Sequence, residues 1–262
     1  MNKEKFQQVR DRMRNKRVLV AFSGGVDSTV LAKLAEQSAK EVLLLNITMP
    51  TAPSYETAQI TTVASEIDAP LKTVAFDWLE HEKLVDNTPM RCYQCKLEIG
   101  RLWLGFAKEQ NMDMVVEGTT ATEVKGHRPG AKALSELEIV SPFLEAGITK
   151  QEIREFAAEH NLSIADAPSM ACLASRFPSG VRITKERLEK VDQLENEVRL
   201  IFKIECVRVR YHGEIARIEV GKDERHKLFD TEKLDLIHES GKDLGFRYVV
   251  FDVIGYRTGS TS

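Results

Sequence analysis

The stretch AFSGGVDST, residues 21–29, decides the fold of this 262-residue chain. It overlaps an apolar run at 17–22 that is typical of a buried strand in a parallel sheet. Directly after this run and its loop, the pattern predicts a helix over 29–35. Two adjacent glycines let the backbone turn tightly and approach a ligand closely. The stretch therefore predicts a ligand-binding loop at the carboxyl end of the first strand, where open α/β sheets bind their ligands.

The polar groups of this loop, SGGVDS at 23–28, suit a phosphate. Backbone N–H groups, the hydroxyls of Ser23 and Ser28 and the start of the following helix together form an anion site. Asp27 is itself anionic, so Mg²⁺ binding or helix capping suits it better. A tight turn with ordinary caps is the structural alternative. The loop is not a Walker A loop, because the GK[ST] ending is absent.

Strands and helices alternate through the first part of the chain. Such alternation indicates βαβ units, and hence an α/β fold with a parallel sheet. Further strands are predicted at 41–48, 71–76 and 114–117, and helices at 5–15, 55–68 and 96–110.

The pattern changes after about residue 165. We predict a loop at 166–180, which contains two prolines, and then a smaller α+β domain. The predicted domains are 1–165 and 166–262. Within the second, we predict helices at 184–202 and 223–244 and strands at 206–211, 215–220 and 248–253.

Composition limits the classes of partner. The net charge of −3 argues against a nucleic-acid partner, although it is compatible with a local basic patch. The charged N-terminal stretch lacks the apolar region of a signal peptide, and no apolar run is long enough for a membrane span. Four cysteines without a secretion signal indicate a reducing compartment. We therefore expect a cytoplasmic protein with no membrane and no nucleic-acid partner.

The cysteines of RCYQCK, residues 91–96, leave several chemistries open. A closed zinc site is disfavoured because only Cys172 and Cys206 remain, singly and far apart. Cys206 opens a strand and is interpreted as a small buried apolar residue. Cys92, Cys95 and Cys172 would suit an iron–sulfur cluster with one open iron. A thiol–disulfide exchange pair is the main competitor, and a pair without a role is the third possibility.

Charged residues of the second half suggest a substrate site. Arg208 and Arg210 lie on one face of a predicted strand, so they could clamp a phosphate. The alternative is a solvated face paired with glutamates. Arg176 lies close in sequence to Cys172 and would favour its thiolate. Lys150 is interpreted as a solvated helix start rather than a phosphate contact. Glu197 and Glu219 are interpreted as surface charges, with metal binding at the substrate site as the alternative.

The SGGVDS loop resembles the PP-loop of the ATP pyrophosphatase superfamily over roughly residues 16–160. Those enzymes cleave ATP between its α and β phosphates to form an adenylate. Further motifs in order along the chain resemble the LarE family of nickel-pincer cofactor synthesis. The motifs are AFSGGVDSTVLA, RCYQCK, EGTTAT, RPG, SPF with EIR, CLASRFPSG, VRVRYHGEIARIEV and GYRTGS.

The resemblance implies an activity. LarE proteins adenylate a carboxylate of pyridinium-3,5-biscarboxylic acid mononucleotide and replace an oxygen with sulfur. Some give up the sulfur of a single cysteine, and others use an extra sulfide on a [4Fe-4S] cluster held by three cysteines. The presence of Cys92, Cys95 and Cys172 implies the cluster form, with ATP, Mg²⁺ and the cluster as cofactors.

The resemblance also implies roles for individual residues and a homo-oligomeric state. Cys172 and Arg176 would be catalytic, and Arg208 with Arg210 would bind the substrate. A tRNA thiolase of the PP-loop class and a redox-sensing nucleotide-binding protein are the alternatives. The implied ATP-binding residues are Ser23, Gly24, Gly25, Asp27, Ser28, Thr48 and Gly118.

Overall fold

The computed structural model describes residues 2–122, 129–168 and 171–257. Seven strands and eleven α-helices are found within these ranges. The strands are β1 (Arg17–Ala21), β2 (Glu41–Thr48), β3 (Leu71–Ala75), β4 (Met114–Val116), β5 (Val207–His212), β6 (Ile215–Val220) and β7 (Tyr248–Phe251). The helices are α1 (Lys3–Met13), α2 (Val26–Glu36), α3 (Ser54–Thr57), α4 (Ile60–Ala64), α5 (Glu82–Val85), α6 (Arg91–Glu109), α7 (Pro129–Glu136), α8 (Pro142–Glu145), α9 (Lys150–Glu159), α10 (Lys185–Phe202) and α11 (Thr231–Asp243).

The first sheet has the order β3-β2-β1-β4 with all strands parallel, which confirms the predicted α/β class. The chain runs outward from β1 through β2 to β3 and then returns to place β4 on the other side of β1. The strand order therefore reverses between β1 and β4. This switch point is where open parallel sheets bind ligands, and the loop after β1 lies at it.

Apolar side chains of the sheet and its helices form a continuous core. Val18 and Val20 of β1 pack in the same cluster as Val30, Leu31 and Leu34 of α2. The central strand is therefore buried, as expected for a parallel sheet covered by helices. No helix in the described ranges is both long and apolar enough to cross a membrane.

The chain divides into two compact units. The first comprises residues 1–49, 56–76 and 90–169, and the second comprises 50–55, 77–89 and 170–262. Residues 50–55 and 77–89 thus belong with the second unit. The predicted domains had a single boundary between residues 165 and 166, which does not include these two segments.

Hydrogen bonds join these early segments to the rest of the second unit. Leu173 N–H donates to the carbonyl of Thr51 at 2.8 Å. The Asn87 side-chain amide donates to the carbonyl of Pro178 at 2.7 Å. Such contacts join residues about 90 or more positions apart, so no local sequence pattern reports them.

The second unit contains a sheet of order β5-β6-β7, in which β5 and β6 are antiparallel and β6 and β7 are parallel. The helix predicted over 223–244 is a 3₁₀ turn at Lys222–Leu228 followed by α11. It is interrupted because Asp230 caps α11, with its side chain accepting from Lys233 N–H at 3.2 Å. The predicted helix over 55–68 is also divided, into α3 and α4.

Candidate functional site

The loop after β1 is built as a tight anion-binding turn. Gly24 has φ +80°, a conformation that favours glycine. Ser28 Oγ donates to the carbonyl of Gly25 at 3.0 Å and accepts from Ser23 N–H at 3.2 Å. Gly25 is the N-cap of α2, so Asp27 lies in the first helical turn and is not the cap. The start of α2 directly follows this turn, and N–H groups at a helix start suit phosphate oxygens, so phosphate binding here stays a prediction.

Gly118, directly after β4, touches this loop. A Cβ at position 118 would lie 3.1 Å from Asp27 Cβ and 3.2 Å from Ser28 N, so the close approach favours glycine. The turn is held by Glu117, a buried carboxylate that accepts from Thr119 N–H at 3.1 Å and from the Ser141 hydroxyl. The structure therefore brings Gly118 together with the SGGVDS loop.

Thr48 ends β2, the neighbour of β1 in the sheet. Its Oγ1 donates to the carbonyl of Val74 at 3.5 Å, and the side chain is half-buried. Thr48 thus lies at the same edge of the sheet as the loop, and its contact with ATP stays a prediction.

Lys150 is the residue of this site that sequence reasoning missed. Its Nζ lies 2.5 Å from Asp27 Oδ2, with the lysine side chain 27% exposed. Lys150 begins α9, as predicted, but its interpretation as solvated is wrong, since the ammonium pairs with Asp27 of the phosphate loop. The capping box of Thr149 and Glu152 predicts that α9 begins here. No local pattern predicts the pairing with Asp27, because 123 positions separate the two residues.

The cysteines of RCYQCK lie in the first two turns of α6, which begins five residues earlier than predicted. Cys92 is exposed and Cys95 is half-buried, and their spacing of three places them on one helix face. The Arg91 guanidinium lies 3.7 Å from Cys92 Sγ. Cys172 precedes a 3₁₀ turn at Leu173–Arg176 in the second unit, and it is exposed. In the described part of the chain, no three His, Cys, Asp or Glu side chains form a metal-binding group.

Cys206 is half-buried, less buried than predicted, whereas Cys92 and Cys172 are exposed. Burial, and secondarily the charge of Glu224, raises the pKa of the Cys206 thiol. Because the thiolate is the nucleophile, a raised pKa lowers its reactive fraction at neutral pH. We expect iodoacetamide at pH 7.5 to modify Cys92 and Cys172 of metal-free protein much faster than Cys206, as measured by peptide mass spectrometry. Equal modification rates for the three cysteines in the folded protein would contradict this expectation. As a control, the three rates should become equal when the protein is unfolded in denaturant.

Arg176 lies inside the second unit. Its Nε and Nη2 donate to Glu195 at 2.7 and 3.0 Å, and both side chains have no exposed surface. Its Nη1 donates to the carbonyls of Ala171 and Cys172 at 3.0 and 3.2 Å. These contacts give Arg176 a positioning role for the backbone around Cys172, and its predicted catalytic role stays a prediction. Glu195, which sequence reasoning missed, also accepts from Val209 N–H at 2.8 Å.

Arg208 and Arg210 share one face of β5, as predicted, but that face is not solvated. The two residues are 2% and 3% exposed. Arg210 Nε and Nη2 donate to Glu219 Oε2 at 3.0 and 2.8 Å. Glu219 is fully buried, so its interpretation as a surface charge is wrong, whereas Glu197 is exposed.

We call Arg176, Arg208, Arg210, Glu195 and Glu219 the arginine cluster. All five are at most 3% exposed. Two further arginines approach the same carboxylates, Arg199 at 3.9 Å from Glu195 and Arg217 at 3.1 Å from Glu219. Desolvation, and secondarily the charge of Arg176, lowers the pKa of Arg208.

A family model and several known proteins match this chain. Residues 1–113 match the model of the PP-loop domain family. The chain is 32% identical over 250 residues to an uncharacterized protein of Methanocaldococcus jannaschii, which covers 95% of this chain and 94% of that protein. A second uncharacterized protein, from Synechocystis, is 30% identical over 244 residues, or 93% of this chain and 91% of that protein.

A relative with a stated activity covers nearly the whole chain. The pyridinium-3,5-bisthiocarboxylic acid mononucleotide synthase of Lactiplantibacillus plantarum is 30% identical over 247 residues, or 93% of this chain and 88% of that protein. The motifs that resemble LarE are thus accompanied by identity along both units. The chain belongs to the LarE family of PP-loop proteins.

Proposed function

We propose that this chain is an ATP-dependent sulfurtransferase that converts a carboxylate of pyridinium-3,5-biscarboxylic acid mononucleotide into a thiocarboxylate. The observation that carries the proposal is the phosphate loop, closed by Gly118 and paired with Lys150, in a chain similar throughout to a synthase of the bisthiocarboxylic acid mononucleotide.

The first step assigned to the loop is adenylation. A carboxylate oxygen of the substrate attacks the α-phosphorus of ATP, the bond from that phosphorus to the bridging oxygen breaks, and pyrophosphate leaves. The N–H groups at Ser23–Ser28 hold the phosphates. Asp27 would hold Mg²⁺, which neutralises phosphate charge when bound. Lys150, 2.5 Å from Asp27, orients that carboxylate and adds positive charge beside the departing pyrophosphate.

The arginine cluster is the proposed site for the substrate's phosphate. The placement of the buried Arg208 and Arg210 on one strand face supports this assignment. A guanidinium recognises phosphate through paired N–H groups, which lysine cannot reproduce. We assign substrate binding to these two arginines.

We assign sulfur delivery to Cys92, Cys95 and Cys172. Two thiols one helical turn apart suit neighbouring ligands of an iron–sulfur group, and a set of three leaves one iron of a [4Fe-4S] cluster open. When bound, such a cluster would supply an extra sulfide. A sulfide nucleophile attacks the acyl carbon, the carbon–oxygen bond to AMP breaks, and AMP leaves. Arg176 holds the carbonyl of Cys172 in place.

The first experiment measures iron and acid-labile sulfide per chain after reconstitution without oxygen. We expect about four irons per chain. Changing Cys92, Cys95 or Cys172 to serine should remove iron while leaving ATP–pyrophosphate exchange with the mononucleotide intact. Cys206→Ser is the matched control and should keep the iron. Little iron in the unmodified chain would contradict the cluster and make Cys172 the candidate donor of its own sulfur.

Two further assays separate the alternatives. A tRNA thiolase would shift bulk tRNA in a gel at moderate salt, where phosphate-driven binding is plain. A redox-sensing nucleotide-binding protein would show no ATP–pyrophosphate exchange with any carboxylate. The predicted homo-oligomer is tested by light scattering on the purified chain.

A further inference from the structure

Tyr256 covers the guanidinium of Arg208. The Arg208 Cζ lies 5.4 Å from the centre of the Tyr256 ring, within the range of a cation–π contact. Arg208 is only 2% exposed, whereas Tyr256 is half-buried. The Tyr256 ring thus packs against a buried arginine that is assigned to phosphate binding.

The backbone beneath Tyr256 is fixed. Gly255 has φ +80°, and a Cβ at this position would lie 2.6 Å from the carbonyl oxygen of Val220. Tyr256 N–H donates to that same carbonyl at 2.8 Å. Asp252 Oδ1 accepts from the N–H groups of Ile254 and Gly255 at 2.9 and 3.1 Å. The ring of Tyr256 is therefore the part of this segment that can move without breaking backbone hydrogen bonds.

We propose that the Tyr256 ring is a side-chain cover of the phosphate site, which occupies the position over Arg208 that the phosphate takes and rotates aside when the phosphate binds. This rests on the proposed function, in which Arg208 binds the phosphate of the mononucleotide. The exchange is favourable because a charge-assisted hydrogen bond to phosphate is stronger than a cation–π contact.

The cover has a consequence for affinity. A site that is open for only a fraction of the time binds its ligand more weakly by that fraction. Removing the ring should therefore strengthen anion binding, whereas general damage to the site would weaken it. The direction of the change separates a cover from a structural support.

The experiment measures the Kd of inorganic phosphate by calorimetry and the KM of the mononucleotide for four chains. Tyr256→Phe should bind phosphate with a Kd within about twofold of that of the original chain, because it keeps the ring. Tyr256→Ala should bind phosphate about five- to tenfold more tightly. Tyr256→Trp should bind it more weakly, because the indole makes the stronger cation–π contact.

Tyr248→Ala is the matched control, since Arg247 lies 5.3 Å from the Tyr248 ring on the exposed surface. It should leave the Kd of phosphate unchanged. Unchanged or weaker phosphate binding by Tyr256→Ala would overturn the cover. Turnover of the mononucleotide tests the proposed function separately. If the variants bind phosphate in the expected order but the chain does not turn over the mononucleotide, the proposed substrate is rejected and the proposed role of Tyr256 stands.

Discussion

Changing Arg176 to methionine is expected to lower the free energy of unfolding by about 3–5 kcal/mol. The substitution leaves the Glu195 carboxylate buried without the guanidinium that binds it at 2.7 and 3.0 Å. It also removes the donor to the carbonyls of Ala171 and Cys172. Urea unfolding followed by circular dichroism measures the change. A loss below about 1 kcal/mol would contradict the buried pair, since that is the range of surface ion pairs.

Two variants make this measurement specific. Arg182 pairs with Glu82 and Asp86 at 2.9 and 2.6 Å, but all three side chains are at least half exposed. Arg182→Met should therefore leave the unfolding midpoint nearly unchanged. The double change of Arg176 and Glu195 to methionine should recover much of the stability, because it removes both buried charges together.

Changing Gly118 to valine is expected to reduce ATP–pyrophosphate exchange by about 100-fold or more. The new Cβ would lie within 3.1–3.2 Å of Asp27 Cβ and the Ser28 nitrogen, which belong to the phosphate loop and the first turn of α2. Backbone atoms cannot move aside as a flexible side chain does, so the loop must shift. A shift of about 1 Å in a phosphate site is enough for a loss of this size.

Gly105 provides the matched control. It lies in α6, and a Cβ there would meet no atom within 4 Å. Gly105→Ala should keep the exchange rate and raise the free energy of unfolding by about 0.5–1 kcal/mol, because glycine weakens a helix. Full exchange activity in Gly118→Val, at an unchanged ATP concentration, would show that the close approach is not needed for adenylation.

The sequence by itself determined the elements and the loop of the first sheet. An uninterrupted apolar run before SGGVDS has one stable environment, a strand buried on both faces, and the alternation of strands and helices then requires a parallel sheet. The two glycines and the two serines are local signals, because turn geometry and helix starts depend on neighbouring residues. The same local logic predicted that Arg208 and Arg210 share one strand face.

Only the tertiary structure decided which groups lie over each face of a strand or helix. Period-two alternation places Arg208 and Arg210 together but does not say whether water, Glu219 or Tyr256 lies over them. In the sequence, Glu195 is indistinguishable from the other glutamates of a predicted helix. In the structure, α10 packs beside β5, and this packing buries Glu195 against Arg176. Lys150 meets Asp27 across 123 positions. Side-chain burial and long-range ion pairs depend on the packing of distant elements, whereas backbone propensity is set within a few residues.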